Sequence, residues 1–313
     1  MRSCILAFLA ILAWTNCAPA QAPEPPPAAP PPIDSGFVAP DLTVPVMING
    51  QGPFQFAIDS GSTTTLIAAD LAEKLQLPEK GRVRVHAMSG TAYLRTVQIE
   101  TIQISAISRQ DLRVAAVSRE HLGADGLLGI NLLKNQRVTL DFADRTIRIE
   151  PSTARAEEPA EKADVDEIVV TAKLLHGQLV MADADADGQK VWVIVDSGSQ
   201  ASVGNFKLMD LLVKRHSGHE IRPVSLVDVL GRVTQAEYTL VERLRLGGMS
   251  LSPIPIAFAD AHPFRQFGML KRPALLLGME TLQNFRRVNI DFAARKVSFE
   301  MAKGKLQPTR RRP

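Results

Sequence analysis

The sequence predicts a mainly β protein made of two similar lobes in one chain, related by a pseudo-two-fold axis. The tetrapeptide Asp-Ser-Gly-Ser occurs twice, at residues 59–62 and 196–199. Each copy follows a short apolar run typical of a buried strand, and three further landmarks follow each copy in the same order. A motif repeated once per half indicates that two carboxylates meet across an internal two-fold axis.

The first landmark is a glycine between short alternating segments, which predicts a β-hairpin with the glycine in its turn. The two candidate hairpin tips comprise these residues: Met88, Ser89 and Gly90 in the first half, and Leu230, Gly231 and Arg232 in the second.

The second landmark is an apolar pair followed by glycine, at residues 127–129 and 276–278. Each precedes a predicted short helix, over residues 131–135 and 280–284. The third landmark is an apolar strand that ends in Asp-Phe-Ala, at residues 138–143 and 288–293, and it predicts a terminal hairpin in each half.

Two longer helices are predicted, over residues 68–75 and 205–213, the second with Asn205 as its N-cap. The second half is longer by 12 residues. Most of the excess precedes the second apolar-Gly motif, and we interpret residues 260–268 as a surface loop inserted between strands.

With these landmarks the chain resembles the retropepsin-like branch of the aspartic proteases. Its members carry an Asp-[Thr/Ser]-Gly-[Ser/Ala/Thr] motif, a glycine-tipped flap and an apolar-apolar-Gly motif in every lobe. The resemblance covers residues 38–301 and is to an internally duplicated, exported aspartyl protease of bacterial type. It implies two retropepsin-like (acid protease) β-barrel lobes, fused in one chain where viral members pair two identical chains.

The resemblance implies that Asp59 and Asp196 are catalytic and hold one water between them. Two carboxylates about 3 Å apart do not both ionise, so one apparent pKa is expected to fall and the other to rise. The ionised partner then takes a proton from the water as it attacks a peptide carbonyl, and the protonated partner stabilises the oxyanion. Neither a cofactor nor a metal is expected.

Small residues are expected to support the two active-site loops: Ser60, Gly61, Ser62, Ser197, Gly198 and Ser199. The glycines allow a tight turn and a close approach to the other lobe. By resemblance, the serine after each aspartate donates a hydrogen bond across the interface. The second serine of each motif is expected to bond the carboxylates and orient them.

The two hairpins are candidate flaps, which in this family close over an extended polypeptide and pair with it as an added strand. Pepsin-like enzymes carry a tyrosine on one flap. Tyr93 lies just past the first turn, and we do not assign it that role.

The N-terminus has the pattern of a signal peptide over residues 1–20, with Arg2, an apolar core and an Ala-Pro-Ala cleavage site. The expected product is exported, either periplasmic or secreted. Asn16 argues against lipid anchoring at Cys17. Cleavage would remove both cysteines, so no disulfide is expected.

Composition predicts the remaining boundaries. A Pro/Ala-rich spacer covers residues 21–37, an N-terminal lobe 38–151, an interlobe linker 152–167, a C-terminal lobe 168–302 and a basic tail 303–313.

Several other partners and chemistries are excluded. A net charge of +3 is too small to favour nucleic acid, and the N-terminal apolar run is too short for a stable membrane span. Residues 183–188 begin like a calcium loop but lack its later ligands, so we interpret them as a hairpin turn. His216 and His219 match neither zinc-protease motif, and Asp125, Asp141 and Asp291 are interpreted as structural.

The favoured function is an aspartic endopeptidase, a monomer with an intramolecular pseudo-dimer, that acts on extended polypeptide. The alternative is a catalytically inactive two-lobed peptide-binding protein of the same fold, motivated by short flaps and the lack of a specificity element. A third possibility is a dyad formed between separate chains.

Overall fold

The computed structural model describes residues 32–34, 42–152, 167–175, 178–215 and 220–301, which are mostly β-strand. The predicted signal peptide, the basic tail, most of the spacer and of the linker, and His216 and His219 lie outside the described residues. Among the described helices, none is both long enough and apolar enough to cross a membrane.

The elements of the first half begin with one short strand that precedes the lobe. In chain order they are β1 (Pro32–Asp34), β2 (Thr43–Ile48), β3 (Gln51–Ile58), β4 (Leu66–Ala68), α1 (Ala69–Lys74), β5 (Glu79–Ala87), β6 (Gly90–Ile104), β7 (Ile107–Val117), α2 (Arg119–Leu122), β8 (Gly126–Leu128), α3 (Ile130–Leu133), β9 (Gln136–Asp141) and β10 (Thr146–Pro151).

The first lobe is a closed six-strand barrel in the order β2, β3, β8, β4, β7 and β6. It closes because β6 pairs with β2 as well as with β7, while β5 extends from β6 as a hairpin. Val46, Phe56 and Ile99 are fully buried inside it, as expected for strands that turn alternate residues inward. The predicted β-barrel lobe is confirmed here.

The second half has its own set of elements. In chain order they are β11 (Glu167–Leu175), β12 (Gln178–Met181), β13 (Ala184–Ala186), β14 (Gln189–Lys190), β15 (Trp192–Val195), β16 (Val203–Gly204), α4 (Phe206–Arg215), β17 (Arg222–Val227), β18 (Val233–Val241), β19 (Leu244–Leu246), β20 (Met249–Leu251), β21 (Ile254–Phe258), α5 (His262–Gln266), β22 (Ala274–Leu277), α6 (Met279–Leu282), β23 (Arg287–Asp291) and β24 (Lys296–Glu300).

The two lobes repeat one strand order. In the first lobe β3, β8, β4, β7, β6 and β5 are neighbours in that order, and in the second lobe β15, β22, β16, β21, β18 and β17 are. The parallel and antiparallel pairings also agree along the two series. The pseudo-two-fold relation expected from the sequence is therefore present in the topology. The sheet of β14, β13, β19 and β20 belongs to the second lobe, and β13 and β14 form the hairpin expected near residues 183–188.

The lobes are joined by one continuous sheet made from their terminal hairpins. Strand β9 of the first lobe pairs antiparallel with β23 of the second, so that Val138 lies opposite Ile290. Arg287 crosses this junction and forms an ion pair with Asp141 at 2.7 Å, while Arg137 approaches Asp291 at 3.2 Å. The aspartate of each Asp-Phe-Ala motif thus pairs with an arginine of the other lobe, and the two ion pairs lie at opposite ends of the β9–β23 pairing.

Two helix predictions hold closely. Helix α1 lies within the predicted residues 68–75, and α4 begins directly after Asn205. The Asn205 side-chain oxygen accepts a hydrogen bond from the Leu208 amide at 2.9 Å, which is the geometry of an N-cap.

The prediction of an inserted surface loop is wrong for most of residues 260–268. The segment contains helix α5, and both Ala261 and Phe264 are fully buried. Its apolar residues are spaced closely enough to anchor a helical turn, which makes it part of the packed second lobe.

Strand β1 lies within the predicted spacer and pairs in parallel with β17, Ile33 opposite Leu226. This strand therefore adds to the edge of the hairpin in the second lobe.

The ion pair between Arg287 and Asp141 is expected to stabilise the lobe junction. Asp141 is 2% exposed, so Arg287→Met would leave a buried carboxylate without its partner and lower the free energy of unfolding by roughly 1–3 kcal/mol. Arg222→Met removes an exposed pair with Glu220 and should change it by less than about 0.5 kcal/mol. Urea unfolding followed by circular dichroism measures both.

The difference in the free energy of unfolding between Arg287→Met and the native protein should also depend on pH. Burial raises the pKa of Asp141, but hydrogen bonds from the Asp144 amide and Arg287 outweigh it and hold the pKa below 3.8. The Arg287 contribution is then present above pH 3.8 and lost as pH falls through the lower value of the folded protein. Equal stability of Arg287→Met and the native protein at pH 7 would contradict this role.

Candidate active site

The two aspartates occupy equivalent places at the ends of strands. Asp59 follows β3 and Asp196 follows β15, and each amide continues the parallel ladder by donating to Leu128 O and Leu277 O, both at 3.0 Å. Asp59 is 7% exposed and Asp196 is partly buried. The fold therefore delivers one carboxylate from each lobe to the same interface.

The glycine of each Asp-Ser-Gly-Ser motif lies against the aspartate of the opposite lobe. A Cβ added to Gly61 would lie 2.3 Å from Asp196 Oδ1, and one added to Gly198 would lie 2.3 Å from Asp59 Oδ1. Each glycine amide also donates to the carboxylate of its own loop, at 2.9 Å for Gly61 and 3.2 Å for Gly198. No other residue type fits at either position without displacing a carboxylate.

Ser60 and Ser197 form a reciprocal link between the two loops. Each amide donates to the hydroxyl of the other serine at 3.0 Å. Each hydroxyl also donates to a carbonyl of the other lobe, Ser60 to Val195 at 2.8 Å and Ser197 to Ile58 at 2.9 Å. Both serines are almost fully buried, so the four hydrogen bonds are shielded from water.

The second serine of each motif does not act as the sequence analysis expects. The Ser62 hydroxyl donates to Thr64 O at 2.9 Å and the Ser199 hydroxyl donates to Ala201 O at 2.8 Å. These hydroxyls therefore close their own loops. Orientation of Asp59 and Asp196 instead comes from backbone amides.

A hydroxyl six residues after each aspartate supports the loops from below, and sequence reasoning missed it. Thr65 accepts from the amide of Gly129 at 3.1 Å, and Ser202 accepts from the amide of Gly278 at 3.0 Å. The apolar-Gly motifs therefore pack directly beneath the active-site loops. The equal offset of Thr65 and Ser202 from the two aspartates is the signal that could have identified them.

Gln178 adds a further contact between the lobes that the sequence analysis did not identify. Its side-chain nitrogen donates to Gly61 O at 2.7 Å, and the residue is 1% exposed. It stands outside both repeated motifs, so no pattern in the sequence marks it.

Burial dominates the electrostatics of the two carboxylates. Burial raises the pKa of Asp59 to about 6, against the lowering effect of hydrogen bonds from the amides of Gly61 and Ser62. Burial and then the charge of Asp59 raise the pKa of Asp196 to about 7. The sequence analysis expects one pKa to fall, whereas in the structure both rise because the loss of hydration acts on both groups.

The candidate flaps meet above the carboxylates. The first is the β5–β6 hairpin with Met88 and Ser89 in its turn, and the second is the β17–β18 hairpin. The amide and hydroxyl of Ser89 both donate to Asp228 Oδ2, the amide at 3.0 Å. Arg232 donates to Thr91 O at 3.2 Å, so three hydrogen bonds join the two tips.

Asp228 is the flap residue that the sequence analysis missed. It is 3% exposed, and its other carboxylate oxygen accepts from the amides of Leu230 and Arg232 at 2.9 and 3.1 Å. One carboxylate thus shapes the second tip and holds the first. An aspartate shortly before a turn glycine is a common capping pattern, which is the signal available in the sequence.

The space beneath the flaps is small. A cavity of about 80 Å³ is lined by both aspartates, Gly61, Gly198 and the flap residues. A larger cavity of about 660 Å³ lies in the second lobe around Arg243 and Pro253, but it includes neither aspartate. The smaller cavity is the candidate active site because it contains the paired carboxylates. Tyr93 is 64% exposed on the first flap and lies outside this cavity.

Comparison with known families agrees with this geometry. Residues 44–135 match the family described as "gag-polyprotein putative aspartyl protease", and residues 182–281 match the family described as aspartyl protease. Each range contains one Asp-Ser-Gly-Ser copy. No curated protein sequence matches the chain. The chain is therefore an internally duplicated member of the retropepsin-like aspartyl proteases, with two such domains in tandem.

Proposed function

We propose that the protein is a single-chain aspartic endopeptidase that hydrolyses peptide bonds of extended polypeptides, with Asp59 and Asp196 as its catalytic dyad. The observation that carries the proposal is the meeting of two carboxylates, one from each lobe, at a site where burial raises the pKa of both and the charge of Asp59 further raises the pKa of Asp196. Each is approached by the glycine of the opposite loop within a cavity that both line. Two buried carboxylates that face each other make ionisation of both costly, which a purely structural role would not require.

The chemistry follows from one proton shared by the dyad. Above the pKa of one aspartate and below that of the other, one carboxylate is ionised and its partner is protonated. The ionised group takes a proton from water as the water oxygen bonds to the peptide carbonyl carbon. The protonated group stabilises the carbonyl oxygen as it becomes an oxyanion.

Breakdown of the tetrahedral intermediate completes the cycle. The amide nitrogen takes a proton from the dyad, the carbon–nitrogen bond breaks, and a carboxyl and an amine product form. One water is consumed and the dyad again holds a single proton. The buried environment favours this state because it disfavours double ionisation.

The flaps supply the substrate-binding part of the proposal. Their strands run over the dyad, and an extended polypeptide between flaps and loops gains main-chain hydrogen bonds in the manner of an added strand. The inactive peptide-binding alternative is not favoured, because the flap hairpins are not short: β5 has 9 residues and β6 has 15. Both carboxylates come from one chain, so the proposed dyad needs no second copy.

Removing either carboxylate tests the proposal directly. We expect Asp59→Asn and Asp196→Asn each to reduce peptide-bond cleavage by at least roughly 10²-fold, since each removes one member of the acid–base pair. The measurement is cleavage of an unfolded protein mixture at pH 6.5, read by mass spectrometry. Asp210→Asn, the same change at an exposed site on α4, should cleave like the native protein.

Cleavage by Asp59→Asn or Asp196→Asn at the native rate would contradict the dyad. If the native protein binds extended peptides without cleaving them at any pH, the peptide-binding alternative replaces the proposal.

The pH dependence should be that of a near-neutral enzyme. Since the pKa values are raised to about 6 and about 7, the dyad holds one proton chiefly between these values. We expect kcat/KM to peak in that interval and to fall on both sides, as both groups ionise above it and both are protonated below it. A maximum below pH 4 with negligible cleavage at pH 6.5 would contradict this assignment.

The raised pKa values also predict that the dyad costs stability. Between pH 3.8 and about 7 the folded protein binds more protons than the unfolded chain, so the free energy of unfolding falls as pH rises through this range. Asp196→Asn avoids the buried charge and should be more stable than the native protein at pH 8, by roughly 2–4 kcal/mol.

At pH 4 the two proteins should differ little, because the dyad is largely protonated. Thermal unfolding at both pH values makes the comparison, and lower stability of Asp196→Asn at pH 8 would show that the carboxylate is stabilising instead.

A further inference from the structure

The tip of the first flap is anchored in the second lobe. Met88 is 9% exposed and belongs to an apolar cluster that includes Ala261 and Phe264. Every other buried residue of this cluster within the described part of the chain comes from the second half. The flap therefore reaches across the dyad and buries a side chain in the opposite lobe.

A pair of histidines stands beside this anchor. His86 on β5 and His262 at the start of α5 place Nδ1 and Nε2 2.9 Å apart, with their rings stacked at 5.1 Å between centroids. The His262 amide also donates to Met88 O at 2.8 Å. We name the contact between His86 and His262 the histidine clasp.

The second half of the clasp comes from the segment that distinguishes the two lobes. His262 lies in residues 260–268, where the second half is longer than the first. The equivalent helix in the first lobe, α2, carries His121 against Gly231 of the second flap. Both flaps thus meet the equivalent helix of the opposite lobe, but only the first flap does so through two imidazoles in hydrogen-bond contact.

We propose that the histidine clasp holds the first flap closed over the dyad at neutral pH and releases it on acidification, so that acid controls the entry of polypeptide. The effect on cleavage rests on the proposed protease function. The opening of the flap does not, and it can be measured in a protein that does not cleave.

The chemistry of two imidazoles predicts that acid weakens the contact between His86 and His262. A hydrogen bond between His86 and His262 requires that at least one ring nitrogen accept, so at least one ring must be neutral. When both rings are protonated, all four ring nitrogens are donors and two positive charges face each other at 2.9 Å. The contact then changes from attractive to repulsive.

The charged groups around the clasp act in the same direction. Burial first, and then the charges of His262 and Arg84, lower the pKa of His86. Burial first, and then Arg265 and Arg84, lower the pKa of His262. Asp260 is the acidic group of the same segment, and it pairs with Arg265 at 2.8 Å.

The second flap brings two more charged groups to the tip, Asp228 and Arg232. The Asp228 carboxylate accepts from Ser89, and Arg232 donates to Thr91 O. The dyad lies in the cavity that His86 also lines. Asp228 therefore makes a contact with the first flap that is separate from the clasp. Hydrogen exchange at the Ser89 amide measures the Asp228 contact, and exchange at the His262 amide measures the clasp.

The sign of the pH effect follows from the lowered pKa values. Between the folded value and the ordinary value of 6.5 the unfolded or opened form binds more protons than the closed form. The stabilisation of the closed flap is thus fully present above pH 6.5 and is lost as pH falls through the lower values of the closed state.

Opening is necessary because the closed cavity is too small for a substrate. Its volume of about 80 Å³ compares with roughly 300–1,000 Å³ for sites that enclose small ligands, and an extended polypeptide is larger still. The flap must move before a peptide bond can reach Asp59 and Asp196.

Hydrogen exchange measured by mass spectrometry tests the clasp. The protein carries Asp59→Asn, so that self-cleavage does not interfere, and is compared at pH 7.5 and 5.5 with labelling times corrected for intrinsic exchange. We expect the opening equilibrium of peptides covering residues 83–92 and 260–268 to rise about tenfold at pH 5.5, the effect of losing one hydrogen bond. The lobe junction, β9 and β23, should not change.

Two substitutions identify the groups responsible. His86→Gln and His262→Asn remove the titrating pair, and in each the pH effect on flap opening should fall below about twofold. His121→Gln alters the equivalent helix of the first lobe and should retain the full tenfold change. Two substitutions on opposite sides of the contact keep the test valid if one of them impairs folding.

The possible outcomes distinguish failure of the clasp proposal from failure of the protease proposal. Equal flap protection at pH 7.5 and 5.5 in the protein without substitutions at the histidines would overturn the proposal, and so would an undiminished pH effect in His86→Gln or His262→Asn. In the active protein, His86→Gln should raise kcat/KM at pH 7.5 above that of the native protein at the same pH. If the flap opens as expected and no protein cleaves, the clasp stands and the protease proposal fails.

Discussion

The close approach of two glycine loops is the constraint on which the rest of the structure depends. Each carboxylate lies against the glycine of the other lobe, and the paired serines make four buried hydrogen bonds across the interface, two with each other and two with carbonyls of the opposite lobe. A shift of one lobe by even 1 Å would break these bonds and either separate the carboxylates or drive them into the backbone. The site is thus a property of the interface, and neither lobe contains it alone.

Such an interface needs a rigid attachment between the lobes, which the terminal hairpins provide. Their shared sheet fixes the register of Val138 against Ile290, and its ion pairs hold partly buried charges across the junction. The apolar-Gly motifs then transmit this position to the loops, since Gly129 and Gly278 donate to hydroxyls just behind the aspartates. In each lobe the candidate active-site loop rests on the apolar-Gly motif, and the two lobes are joined beneath these motifs by the shared sheet.

Much of this could be predicted from the sequence because it repeats. The duplicated motifs gave the lobes, the aspartates, the hairpin tips and the cap at Asn205, each of which depends on local pattern. The hydrogen bonds of Ser62 and Ser199 were predicted wrongly because a hydroxyl can donate to a carbonyl or to a carboxylate, and the local sequence pattern does not decide between them. The helix at residues 260–268 was missed because its burial comes from distant residues of the second lobe and from Met88 of the first flap, which no local pattern records. Asp228, Gln178 and the histidine pair likewise act through partners more than 100 residues away in the chain.

The two flaps differ in their contacts with the opposite lobe, and this difference allows acid to control one flap. A strictly symmetric pair of flaps would respond equally to any change in conditions, but among the described residues only the first flap meets the helix of the opposite lobe through two imidazoles in hydrogen-bond contact. Burial raises the pKa of the dyad to about 6 and about 7, and burial lowers the pKa of His86 and His262 from 6.5. Burial disfavours charge in both groups, so it raises the pKa of the carboxyl groups and lowers the pKa of the imidazoles. In our proposal the dyad takes up its first proton near pH 7, whereas the clasp weakens only below pH 6.5, so the proton needed for cleavage is in place before acid opens the flap.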